Sequence, residues 1–191
     1  MKFLIFLCLL SVIAAEASEK LAESQLKKIY AKKIKKSFIK FLEDHLIPKT
    51  EMDILIFKNN KICNANLLEV FGKLKIVHDK IYPQIAVYIH FKTNKLFFRT
   101  NLKISSLIWD VGEVKIFADK FHVLVIVTTD LNNEIIYKLV KVISLHVNKV
   151  EFNCKNKRLK EVISALILYF CNRDEAKKAL QDHLDTITHL K

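Results

Sequence analysis

The sequence predicts an α+β fold, with a helix at each end of the chain and antiparallel strands between them. Three observations predict it. Apolar residues return every three or four positions near both termini, and they alternate at period two through the middle. The two glycines and two prolines of the whole chain are too few for a turn-rich sandwich or a disordered linker.

The chain opens MKFLIFLCLLSVIAAEAS. Basic Lys2, the apolar run from Phe3 to Ala15 and the small-x-small triplet Ala15-Glu16-Ala17 have the layout of a secretory signal peptide. Residues 1–17 are expected to be removed, leaving a secreted, extracellular protein that starts at Ser18 and forms a single domain over 18–191. The apolar run is too short for a membrane span, which needs about 20 residues. The roughly 174 residues that remain can bury one sizeable core but hardly two. The leader holds one base and one acid, so the formal charge of +12 belongs to the mature chain. Such a field favours anionic partners such as phospholipid headgroups, lipopolysaccharide, acidic glycans or nucleic acid, and export argues against the last. The plainer reading is that the charge keeps an apolar-rich chain soluble.

In the first helix, over 19–46, Leu26, Tyr30, Ile34, Phe38, Phe41 and Leu42 form the apolar stripe, and Lys28, Lys32, Lys35, Lys36 and Lys40 fall broadly opposite. Lys27, Ile29 and Ile39 do not fit that division. Pro48 ends the helix, because it lacks the backbone N–H and restricts the residue before it. Period two then rules from Met52 to Cys154. The strand candidates are 73–77, 85–91, 96–108, 113–118, 121–129 and 135–147, with turn signals TNK at 93–95, WDVG at 109–112 and DLNN at 130–133. Both faces of 121–129 are apolar, which suits a strand covered on both sides. A phase break near Leu139–Val140 predicts a bulge. The last segment, 157–190, reads as one long helix with a kink near Asn172–Asp174.

Catalytic and cofactor motifs are absent. The seven histidines (45, 78, 90, 122, 146, 183 and 189) make no tight ligand spacing, and His183 and His189 fall on different sides of a helix. No Gly-x-Ser-x-Gly elbow, phosphate-cradling loop or dinucleotide fingerprint is present. Cysteine catalysis would need a thiolate beside a histidine, for which Cys171 is the candidate. The pairs Glu43-Asp44 and Asp174-Glu175 read as helix-end charges. The expectation is a non-enzyme without cofactor or metal, a monomer or weak dimer. Past the leader, Cys63, Cys154 and Cys171 meet an oxidising compartment. Cys154 and Cys171 could clip helix to sheet, or all three could be buried thiols acting as small hydrophobes.

The strands carry Phe57, Phe71, Phe91, Phe97, Phe98, Phe117, Phe121 and Phe152. This aromatic mass fits either a densely packed core or an apolar cavity for an acyl chain or similar ligand. Phe97 and Phe98 must point to opposite faces of their strand.

A basic amphipathic helix, a run of antiparallel strands and a long C-terminal helix behind a signal peptide resemble the tubular lipid-binding (TULIP) superfamily. That superfamily includes the bactericidal/permeability-increasing and lipopolysaccharide-binding proteins, the palate-lung-nasal clone, takeout and juvenile hormone-binding proteins, and the mite group 7 allergens. The segment VEFNCKNKRLKEVISALILYFCNRDEAKKALQDHLDTI (150–187) is similar to the family's final strand and C-terminal helix. The resemblance implies a single module, a curved antiparallel sheet wrapped on a long N-terminal and a long C-terminal helix with an elongated apolar cavity for lipid. It also implies a disulfide between Cys154 and Cys171. A helix-grip fold, with its sheet folded around a C-terminal helix, is the alternative and points to the same class of function.

The expected function is therefore non-enzymatic binding of a hydrophobic small molecule or lipid (fatty acid, phospholipid or similar) in an internal cavity. Candidate lining residues are Tyr30, Ile34, Phe38, Phe41, Val87, Ile89, Phe91, Phe98, Phe121, Leu166 and Phe170. The alternative is a cationic host-defence or surface-active protein that meets anionic membranes or lipopolysaccharide through Lys28, Lys32, Lys35 and Lys36.

Overall fold

The computed structural model describes residues 24–25, 27–45, 47, 49–78, 85–105, 109–129 and 134–189. The expected leader 1–17, Leu26, Pro48 and the turn signal at 130–133 lie outside them. The fold is α+β. Helix α1 (27–44) comes first. It is followed by β1 (Thr50–Met52), β2 (Leu55–Cys63), a 3-10 turn at Ala65–Leu67, β3 (Glu69–Val70), β4 (Lys75–His78), β5 (Ile85–Thr93), β6 (Leu96–Ile104), β7 (Trp109–Thr129), β8 (Ile135–Phe152), α2 (Lys157–Cys171) and α3 (Asp174–His189).

The strands make one eight-stranded antiparallel sheet with β7 as its spine. Along one edge of β7 lie β6, against its first half, and β5, against its second; β8 takes the other edge. Pairs Thr93–Phe121 and Leu96–Ala118 belong to one continuous register, so β5 and β6 run end to end along β7. The TNK signal is thus an interruption in a long strand and not a hairpin. The WDVG signal is likewise no turn. Leu102 pairs with Gly112 and Lys103 with Asp110, which leaves Val111 as an extra residue, and Gly112 takes φ +82° while donating its N–H to Asp110 Oδ1 at 2.9 Å. Turn-type residues serve a bulge here because both need positive φ.

At about 3.3 Å per residue a flat strand as long as β7 would run close to 70 Å. Bulges instead bend it. The β7–β8 ladder register skips Asp119 on β7 and skips Lys138, Ile143 and Asn148 on β8. Each extra residue shifts the alternation by one. Val114, Ile116 and Ala118 therefore share a buried face with Phe121, Val123, Val125 and Val127. The first of the β8 bulges falls beside the phase break at Leu139–Val140.

The inward face is covered in two sections. Ile34, Phe38, Phe41 and Leu42 of α1 and Leu180, Leu184 and Ile187 of α3 share one buried cluster with β5, the second half of β7 and Tyr137, Val140 and Val142 of β8, the strand on which α3 chiefly lies. Ile163, Ile167 and Phe170 of α2, which lies chiefly on β8, share the other cluster with β2, β6, the first half of β7 and Val147 and Phe152 of β8. The C-terminal segment breaks at Asn172–Arg173, where the sequence placed a kink, and its halves are α2 and α3.

The free edge of β8 is met by side chains. Gln181 accepts from the Val142 N–H at 2.7 Å and donates to the Val140 carbonyl at 2.7 Å. Asn172 does the same at Val147, at 2.7 and 2.8 Å. Lys177 Nζ donates to the Ile143 carbonyl at 2.9 Å.

Candidate functional site

Between the two covered sections, below the elbow that joins α2 to α3, a pocket of about 90 Å³ opens on the inward face. Its floor is Phe57, Phe98, Ile116, Leu145 and Val147 of the sheet; its roof is Cys171, Ala176, Ala179 and Leu180; and Ile47, Thr50 and Met52 close one side. The small side chains at the elbow are what leave the space open. Asn60 and Thr100 add polar atoms to the wall, and these are paired: the Thr100 hydroxyl donates to Asn60 Oδ1. Phe98 packs on both sections of the core, while neighbouring Phe97 faces out, 5.3 Å from Phe117. A second apolar pocket, of about 160 Å³, lies at the far end of the same face between Tyr30, Lys33 and Ile34 of α1 and Ile76, Val87, Val127 and Ile135 of the sheet.

The predicted lining residues divide among these places. Tyr30, Ile34 and Val87 line the far pocket, and Phe98 lines the seam. Phe38, Phe41, Ile89 and Phe91 are buried filling; Phe38 stacks on Phe91 at 5.2 Å, and Phe41 lies 4.6 Å from Tyr137. Burial pushes the Tyr137 hydroxyl up to about 12, while its hydrogen bond to Ser37 at 2.7 Å opposes the shift. Phe170 faces a third pocket beside Asp53, Arg173 and Glu175, and Leu166 is half-buried against α2's section of the core. Phe121 reaches a larger polar pocket at the waist of the sheet.

That waist pocket, of about 610 Å³, sits where the ladder breaks opposite Asp119. Lys35, Lys92, Lys95 and Lys120 converge on it, with Glu69 and Asp119 as the acids. Asp119 is held below the usual carboxylate range by its hydrogen bond to His146 at 2.6 Å. Lys92 Nζ lies 3.2 Å from the Phe71 ring centroid, a cation–π contact. His90 Nδ1 and His122 Nε2 are 2.9 Å apart, and burial together with Lys92 and His90 lowers the His122 pKa. Lys28, Lys32 and Lys36 stand in solvent on α1, whereas Lys35 turns toward the waist. The period of the helix could not reveal that, because a sheet edge lies beside it.

The disulfide does not form. Cys63, Cys154 and Cys171 are all free. Cys171 ends α2, and fourteen steps of about 1.5 Å put it roughly 21 Å from Lys157; the three residues back to Cys154 span at most about 10–11 Å, so the two cysteines stay beyond the roughly 7 Å Cα separation a bridge tolerates. Burial pushes the Cys171 thiol up to about 12, so it is a protonated part of the seam. Burial, then the nearby His45, lowers the pKa of His183, whose Nε2 has no hydrogen-bond partner.

No family model and no curated protein matches the chain. It is similar to the crystal structure of a lipopolysaccharide binding protein at 15% identity, over 81% of this chain and 35% of that one, with a TM-score of 0.44. The chain thus spans about a third of that structure's length.

Proposed function

We propose that this is a secreted, non-enzymatic binding protein for an amphipathic lipid whose apolar chain enters the seam beneath the α2–α3 elbow. The observation that carries the reading is the seam itself, an opening with an almost wholly apolar lining between two well-filled cores. Ligand pockets of drug size measure about 300–1,000 Å³, so the resting seam admits only a short piece of chain. A longer acyl chain enters as the elbow swings outward, gaining about 0.8 kcal/mol per buried methylene. Delipidated protein should bind a fluorescent fatty acid, and Ala179→Phe, which fills the seam, should weaken that binding at least tenfold with the fold intact by circular dichroism. Unchanged binding by the variant, or no uptake by the parent protein, would sink the proposal.

A second reading is favoured by the waist pocket, where Lys35 of α1 joins Lys92, Lys95 and Lys120. Under it the protein is a cationic, surface-active binder of anionic membrane or lipopolysaccharide. Exchanging Lys28, Lys32, Lys35 and Lys36 for Gln separates the two: a carrier keeps the fatty acid, and a surface-active protein loses anionic vesicles.

A further inference from the structure

Helix α2 buries Ile163, Ile167 and Phe170 in the core, yet its apolar surface does not end there. At 100° per residue Leu159, Val162, Leu166 and Tyr169 form a second stripe on the adjoining flank. Val162 and Tyr169 are 57% and 62% exposed, Leu159 is 37% exposed and Leu166 is half-buried. No described strand or helix covers them.

The charge beside the stripe is one-sided. Lys155, Lys157, Arg158 and Lys160 lie at the start of the helix, and Glu161 is the only acid in it. Arg158 is one turn from Val162 on the same flank, whereas Lys157 and Lys160 project roughly 140–160° away from it. These cations occupy the end at which the helix dipole favours acids, and no acid stands in the first turn of α2. Helix α3, in contrast, opens with Asp174 and Glu175, as the dipole requires. The bases of α2 therefore sit against the local preference for stability, and Arg158 sits next to the exposed apolar groups. That is the pattern of a helix that lies in a membrane interface, with its apolar side chains among the lipids and its bases at the headgroups.

We infer that the outer flank of α2 docks the protein onto an anionic lipid surface, with Val162 and Tyr169 inserted and Arg158, with Lys155 just before the helix, against the headgroups. The inference does not depend on a ligand in the seam, and it places membrane contact on α2 and not on the lysine face of α1.

The test uses the full-length secreted protein with vesicles of phosphatidylcholine, with and without phosphatidylglycerol. Binding should need the anionic lipid and weaken with salt. Val162→Glu with Tyr169→Glu should lower partitioning at least tenfold, and both sites are exposed enough to keep the fold. Lys155→Gln with Arg158→Gln should lower it roughly thirtyfold, on the basis of the usual worth of a basic residue near such a surface, and Lys157→Gln should change it less. Tyr169→Trp should shift its emission to the blue on adding vesicles. Three outcomes would overturn the inference: an unshifted Tyr169→Trp spectrum with bound vesicles, binding removed by the α1 lysine variants and not by the α2 variants, or loss of self-association in Val162→Glu/Tyr169→Glu, which would assign the stripe to a second copy.

Discussion

The two sections of the sheet share their longest strands and differ in their cover. Where α1 and α3 lie side by side, the space is filled by aromatic stacking around Phe38, with Phe41, Phe91, Phe121 and Tyr137 nearby. Where α2 lies alone, the buried aromatics Phe57, Phe152 and Phe170 are set among aliphatic side chains such as Leu55, Leu102, Ile104, Val114, Ile116, Ile163 and Ile167, and among the described residues they do not stack on one another. A single helix is narrower than the curved surface beneath it, which leaves its own flank bare and an opening at the seam. The section under two helices is filled, and the section under one helix keeps a bare flank and the seam.

The comparison can be broken first by core truncation. Phe38→Ala should cost about 3–5 kcal/mol and Ile167→Ala about 2–4 kcal/mol in urea denaturation, each as a single transition, because β7 runs through both sections. Two separate transitions would mean that the sections fold as independent units. Tyr137 sharpens the contrast at high pH. Its hydroxyl is raised from 10.0 to about 12, so the unfolded chain loses that proton first. Stability should be full below pH 10 and fall by roughly 2–3 kcal/mol as pH rises to 12. Tyr137→Phe should remove that fall, and a matching loss in the variant would assign it to other groups. The smallest effect concerns the thiols. Iodoacetamide should modify Cys63 well before Cys171, whose half-buried thiol is held protonated by a pKa raised to about 12, and a reductant should leave the melting temperature unchanged.

Much of the fold was legible because alternation and helical period survive wherever one face is buried. The strand runs at 85–91, 113–118 and 121–129 and the break near Asn172 were all readable in this way. What could not be read is where two runs are one strand. Asp119 reverses the phase of β7, so 113–118 and 121–129 look separate, and Asn59–Asn60 interrupts β2 in the same manner. Bulge and turn use the same residues, hence the misplaced turn at 109–112, whereas the break at 93–95 does separate β5 from β6 but sets them end to end and not as a hairpin. The cavity candidates fell mostly on filling because a buried phenylalanine has the same sequence signature whether it meets a neighbour or a void. The better signal was Cys171, Ala176 and Ala179, small residues on an otherwise bulky face.

The amides on β8 have a consequence for how the molecule survives at high concentration. A strand of eighteen residues with one side open is a template on which another chain can add. Gln181 and Asn172 occupy that side with the same donor–acceptor pairs an incoming strand would offer. The C-terminal helices thus act as an internal guard against fibre growth. A truncation before Asn172 would leave a chain that keeps all its strands and has lost its protection against polymerising through them.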